Sequence, residues 1–362
     1  MQDWMLVAKL LVLLGLWMQV QAGDEQKPAK GEESKNDKQI LVLVVFPIII
    51  AVGVIGNGLA LIVVLRDKTM RSATNVLVCS LALADLVFLL YTVPLTIAYV
   101  THGWRYGLLL CKFFFFGQYF TSHNGAYTLV LMALDRFLAV VFPFESIPWR
   151  TSKNAFKAVL LTWTFSFAVN AHLLWYAETH EMVCKWSSEY PALKNIHMHL
   201  AFIEGYLLPF LIICALYFAL IYKLRFGRTA KMAQSGEASR SKKHVSRMVI
   251  ILICVFGICW LPIRLWLLVV NYHPRIFMSL NYSMMAQKLF MMMAYSNSAI
   301  NPILYAFLSE NFRIAFRKML PCGAKPARST GTNITKFTPL PARTLTSDNT
   351  VNGIQETLIE SF

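Results

Sequence analysis

Five ionisable side chains stand within or at the ends of long apolar stretches. They are Asp85 in Ser80-Leu-Ala-Leu-Ala-Asp85-Leu, the adjacent Asp135 and Arg136, Glu204 ahead of Pro209, and Arg264 just after Pro262. A charge withdrawn from water is costly unless it is paired and hydrogen-bonded. Each is therefore a candidate site, and the chemistry it offers is ion pairing and exchange of partners. Bond-making chemistry needs a nucleophile with its base, or clustered metal ligands; histidines such as His197 and His199 have no partners at ligand spacing. Asn57, Asn297, Ser298 and Asn301 add amides and a hydroxyl to other apolar stretches. With Asp85 they suggest one buried polar cluster around water or a sodium ion; simple interhelical hydrogen bonds are the plainer alternative. Arg136 could exchange partners if a neighbouring helix moved, or form an ordinary interfacial ion pair with Asp135. Pro209, Pro262 and Pro302 interrupt the stretches and each removes a helical hydrogen bond.

The elements that position these residues follow from composition. Of 362 residues, 57% are hydrophobic and only 15% charged, and the mean hydropathy is +0.52. Soluble domains carry about 25% charged residues, so lipid must face much of this surface. Crossing the hydrocarbon takes roughly 20 helical residues. Runs of that length predict spans at about 40–65, 74–100, 108–141, 154–176, 198–224, 243–271 and 282–308. The fold class is all-α: a seven-transmembrane helix bundle, with a short amphipathic helix after the last span. The net charge of +15 does not point to nucleic acid, because Lys and Arg concentrate in alternate loops. Those loops should face the cytoplasm, leaving the N-terminus outside and the C-terminus inside.

Residues 1–22 read as a signal peptide ending near Ala22, and 23–39 as an unstructured extracellular segment. The bundle occupies 40–308. Residues 309–322 place Phe312, Phe316 and Leu320 on one face with basic residues beside them, which suits membrane lipid. Cys322 follows as a palmitoylation candidate or a free thiol, and 323–362 read as a disordered cytoplasmic tail. Cys79, Cys214, Cys254 and Cys259 fall within spans. Cys111 and Cys184 both fall outside, in an oxidising compartment, and are the pair that topology favours for a disulfide.

Together these motifs resemble the rhodopsin-like (class A) G-protein-coupled receptors over roughly residues 40–322. The resemblance rests on Gly56-Asn57, Leu81-Ala-Leu-Ala-Asp85, Cys111 with Cys184, Asp135-Arg136-Phe137, Trp163, Pro209 with Tyr217, Phe256-Gly-Ile-Cys-Trp260-Leu-Pro262 and Asn301-Pro302-Ile-Leu-Tyr305, in order. It implies that Phe256, Trp260 and Pro262 relay ligand binding along the sixth helix. It further implies that Asp135, Arg136, Tyr217, Asn301, Pro302 and Tyr305 rearrange as the activation switch, and that Asp85, Asn297, Ser298 and Asn301 form a sodium site. Gly125 stands where many relatives carry a serine ligand for that sodium. Lys242 stands where some carry an acidic partner for the arginine, so that ionic latch is lost and basal activity is expected to rise.

The resemblance also bears on the ligand. Gln118 replaces the aspartate that binds cationic amines, and Tyr295 the lysine that binds retinal. The stretches around 127–141 and 294–313 look most like allatostatin-A and galanin receptors, which implies an extracellular neuropeptide; another amidated peptide, such as a kisspeptin-like one, is the alternative. A transporter is a remote alternative, lacking the inverted repeats it would require. Glu204 and Arg264 should pair on neighbouring helices and face the ligand, with Gln118, His123, Trp260 and Tyr295 nearby; a purely structural salt bridge is the other reading. Glu178, Glu181, Trp186 and Glu189 in the outer loop suit a peptide carrying positive charge, or are simply solvated. Arg136 and Phe144 are the expected contacts for a heterotrimeric G protein, the inhibitory class being favoured. The Ser- and Thr-rich tail is the expected substrate of a receptor kinase and contact for arrestin. Neither an enzyme activity nor a cofactor beyond the sodium ion is implied.

Overall fold

The computed structural model describes residues 33–66, 72–187, 189–226, 237–273 and 283–308. The signal peptide, amphipathic helix, Cys322 and tail proposed from the sequence lie outside them, as do the side chains of Lys242 and Tyr305. Among the described residues are seven long helices: α1 (Glu33–Arg66), α2 (Ala73–His102), α3 (Gly107–Val141), α4 (Ser152–Asn170), α5 (Pro191–Phe226), α6 (Glu237–Tyr272) and α7 (Ser283–Leu308). The first begins earlier than expected, so residues 33–39 extend α1 instead of forming an unstructured segment. Ser72 caps α2 by accepting a hydrogen bond from the Asn75 amide (3.3 Å), and Thr151 caps α4 through the Asn154 amide (3.2 Å).

Six of the seven helices contain stretches long and apolar enough to span a bilayer. The exception, α7, is the one whose Asn297, Ser298 and Asn301 turn into the bundle. Large apolar side chains such as Leu161, Phe218 and Ile258 are 65–75% exposed, a pattern that suits lipid. Helix α7 packs between α1 and α6, while α3 touches α2, α4, α5 and α6. Trp163 on α4 donates to Ser80 on α2 (3.1 Å), and Ser80 meets Thr128 on α3 (3.3 Å), which ties three helices together.

Two of the helices widen locally to i→i+5 hydrogen bonding, at Phe88–Thr92 in α2 and Ile203–Leu207 in α5. Each widened turn is closed by the residue just before a proline: the Val93 amide bonds to Phe88 and precedes Pro94, and the Leu208 amide bonds to Ile203 and precedes Pro209. A proline ring strikes the carbonyl four residues back, and the extra residue in the turn relieves the clash. By contrast, α6 and α7 stay α-helical through Pro262 and Pro302.

At one end of the bundle, strands β1 (Ala177–His180) and β2 (Val183–Trp186) form an antiparallel hairpin with Thr179 opposite Cys184. Cys184 is disulfide-bonded to Cys111 on α3, the pairing expected from topology, with a Cα–Cα separation of 5.7 Å.

Candidate functional site

Midway along the bundle, the sequence-marked polar residues meet. Pro302 has no amide hydrogen to give the Ser298 carbonyl, and Asn57 Nδ2 on α1 donates to that carbonyl instead (2.8 Å). Gly56 permits the approach, since a Cβ there would come within 2.6 Å of Pro302. Asn301 Nδ2 donates to Asp85 Oδ2 at 2.8 Å. Asp85, Asn297 and Ser298 line a cavity of about 20 Å³ together with Ser122, Gly125, Phe256 and Trp260. That volume suits about one water. The cavity wall carries the oxygens of Asp85, Thr121, Ser122, Asn297 and Ser298, of which Asp85 Oδ2 accepts from Asn301 and Ser122 Oγ from a guanidinium, while Gly125 adds none.

That guanidinium belongs to Arg264. It is only 5% exposed, donates from Nη2 to Ser122 Oγ (2.8 Å), and lies over the rings of Tyr119 (5.5 Å) and Trp260 (5.1 Å). The expected Glu204–Arg264 pair does not form. Glu204 sits on the widened turn of α5, whose extra residue rotates that face by about 100° relative to a regular helix. Glu204 ends half-buried, within electrostatic reach of Tyr127. Tyr295 joins Thr96 (3.2 Å) and Gln118 Nε2 (3.4 Å), and its ring packs against Phe46 and, edge-on, against Phe88. Gln118, Tyr295, Trp260 and Arg264 thus belong to one layer spanning α2, α3, α6 and α7.

His123 lies on the α4–α5 side. Asn170 Nδ2 donates to its Nδ1 at 2.6 Å, which puts the proton on Nε2. A Cβ on Gly205 would strike this ring, so the contact between α3 and α5 needs glycine. Two more histidines close the layer: His172 Nδ1 donates to the Val169 carbonyl (2.9 Å), so its Nε2 accepts from His197 Nδ1 (3.0 Å). His197 stacks on Trp186, which stacks on Tyr176. Trp186 is therefore buried in an aromatic cluster beneath the hairpin, while Glu178 pairs with Lys185 (3.3 Å) and accepts from Ser187 (2.9 Å). Glu181 turns the hairpin at φ 50° and is exposed, as is Glu189. Sequence reasoning missed the His172–His197 pair and Asn170, because nothing in their spacing sets them apart.

On α6, Phe256 stacks on Tyr206 of α5, and the Tyr206 hydroxyl donates to the Gly257 carbonyl (3.0 Å), one turn before Pro262. Tyr206 was also missed; it sits on the widened turn, where regular helical spacing gives the wrong face.

At the opposite end of the bundle, Asp135 is 6% exposed and has three partners. Arg136 Nη2 approaches it at 2.9 Å, Arg150 Nε donates at 2.8 Å from the segment after α3, and the Thr74 hydroxyl donates at 2.7 Å from α2. Arg136 also donates to Thr74. The expected pair exists, but Arg150 joins it from outside any recognised motif. Tyr217 is buried within electrostatic reach of Arg136. Phe144 is 82% exposed.

These features accord with the sequence relationships. A family model described as 7 transmembrane receptor (rhodopsin family) matches residues 56–305. The allatostatin-A receptor of Bombyx mori is 37% identical over 305 residues, covering 78% of this chain and 80% of that receptor. Galanin receptor type 1 of Rattus norvegicus is 34% identical over 82% of this chain and 86% of its own length. Galanin receptor type 2 of Homo sapiens is 32% identical over 84% and 79%. With seven helices carrying these motifs in order, the chain is a multi-pass membrane protein and belongs to the rhodopsin family of seven-transmembrane receptors.

Proposed function

We propose that this chain is a plasma-membrane receptor for an extracellular neuropeptide of the allatostatin-A and galanin class, and that it activates a heterotrimeric G protein inside the cell. The observation that carries this reading is similarity over about four-fifths of both chains to receptors named for those peptides. The basic loops after α1, α3 and α5 support placing the Asp135 end in the cytoplasm and the disulfide end outside.

In this reading the peptide enters beside the hairpin and reaches Gln118, His123, Trp260, Arg264 and Tyr295, with Glu178 and Glu181 at the entrance and Trp186 in the aromatic cluster that supports it. An agonist acts by binding the active arrangement more tightly than the inactive one. Contact with Trp260 or Arg264 bears on α6 directly above Pro262, whose missing amide leaves the Ile258 carbonyl without its helical donor. At the inner end, Arg136 is held sideways by Asp135 and Thr74 and must leave them to meet a G protein. Because the two sites are separate, ligand and G protein each raise the other's affinity. Phe144, exposed beside this site, is the apolar contact for the G protein, of the inhibitory class. The Ser- and Thr-rich tail serves receptor kinase and arrestin.

The test is G-protein activation in cells expressing the chain, challenged with allatostatin-A-like, galanin-like and kisspeptin-like peptides. A nanomolar response to one group, lost in Arg136→Ala at equal surface expression, is the expected result. Silence to all of them with proven surface expression refutes the peptide assignment.

A further inference from the structure

We propose that the guanidinium of Arg264, bonded to Ser122 on the wall of the Asp85 cavity, disfavours a cation there, so that the cavity holds water and the protein is insensitive to sodium. Arg264 is 5% exposed, and none of the ion pairs among the described residues involves it. Its positive charge is delivered to the cavity wall through two residues that line the cavity together with Asp85. Ser122 accepts the Nη2 hydrogen bond at 2.8 Å, and the Trp260 ring lies 5.1 Å from the guanidinium carbon.

A cation bound by Ser122 Oγ would suffer directly. A metal–oxygen distance of roughly 2.4 Å, as for calcium, added to the 2.8 Å hydrogen bond leaves it no more than about 5.2 Å from Arg264 Nη2. Like charges that close repel strongly in an interior of low effective dielectric. Gly125 adds no oxygen to the wall, and Asp85 Oδ2 is shared with the Asn301 amide.

A water on this wall avoids the repulsion from Arg264 that a cation on Ser122 would meet. Asn297 Oδ1 is buried without a hydrogen-bond donor. A single water can donate to that oxygen and to the Asp85 carboxylate, and a cavity of about 20 Å³ has room for one. The arginine's position depends on Ser122, Tyr119 and Trp260 and not on the salt outside.

Thermal unfolding of the purified full-length protein tests this without any peptide. Melting is compared in equal concentrations of sodium chloride and N-methylglucamine chloride, so that ionic strength is matched. The wild type should melt at the same temperature in both. Arg264→Gln combined with Gly125→Ser removes the charge and adds an oxygen where a Cβ meets only Leu81, at 3.8 Å. It should gain a sodium-specific rise of about 2–4 °C, the shift expected when a ligand near tenfold saturation binds only the folded state. A sodium-specific rise in the wild type that Asp85→Asn abolishes overturns the proposal, and that pair of proteins decides the matter even if the double variant fails to fold. A folded double variant that gains no sodium response also overturns it, because the arginine charge would then not be what keeps sodium out. Neither outcome depends on which peptide, if any, activates the receptor.

Discussion

Replacing Arg150 by alanine should raise agonist-free signalling. Arg150 donates to Asp135 Oδ1 at 2.8 Å, and its side chain is 24% exposed. Charge-assisted hydrogen bonds contribute about 1.5–3 kcal/mol when shielded from water; the partial exposure argues for the lower end, about 1.4 kcal/mol after screening. Asp135 keeps Arg136 and Thr74 as partners, so the change does not orphan a buried carboxylate and the fold should survive. The contact bridges the end of α3 and the segment leading into α4. If that bridge must open for Arg136 to leave Asp135, its loss shifts the inactive-to-active ratio about tenfold. From a basal active fraction of about 1%, within the usual range for minor states, the variant would reach about 10%. The assay is agonist-free nucleotide exchange on the G protein in membranes, divided by receptor number at the surface. By linkage, agonist affinity should rise with it. Arg150→Ala with basal exchange per receptor equal to the wild type refutes the idea that Arg150 restrains the switch. This restraint lies within α3 and the following segment, whereas the one that Lys242 rules out would have run from α3 to α6.

Three further outcomes follow from the geometry. Gly205→Ala should cost about 1–3 kcal/mol, because the new methyl strikes a His123 ring held by Asn170; the readout is a lower melting temperature, with less receptor at the surface. Asn57→Ala should cost about 1–3 kcal/mol, because the Ser298 carbonyl freed by Pro302 then has no donor; thermal unfolding reads it, and Asn57→Leu, which also brings no donor, should not rescue it. Cys111→Ser or Cys184→Ser should cost about 2–5 kcal/mol and release the hairpin from α3; both singles and the double should show the same loss of surface peptide binding, since each breaks the same bond.

What could be read in the sequence depended on whether a residue announced itself through cost or only through position. Asp85, Asn57, Asn297 and Asn301 are polar where lipid or core should be, so their meeting in the interior was legible from residue type alone. The disulfide needed only the side of the membrane on which each cysteine falls. Arg264 was legible in the same way, as a buried charge, but its partner was not. Counting back from Pro209 assumes 3.6 residues per turn, and the turn at Ile203–Leu207 breaks that count. The break is itself caused by the proline from which the count began. Glu204 was therefore assigned the wrong face. The carboxylate meant for Arg264 turns away, and an unmarked tyrosine reaches the Gly257 carbonyl instead. Arg150 was missed for a different reason: its partner lies fifteen residues away across a non-helical segment, and no periodicity connects them. A proline inside a membrane helix should thus be read as a phase shift for the turn before it whenever the helix widens there. Pro94 follows a widened turn as Pro209 does, whereas Pro262 and Pro302 do not. The difference lies in who accommodates the carbonyl. Near Pro302 the freed Ser298 oxygen finds Asn57 on a neighbouring helix, so the turn can stay α-helical and the phase is kept.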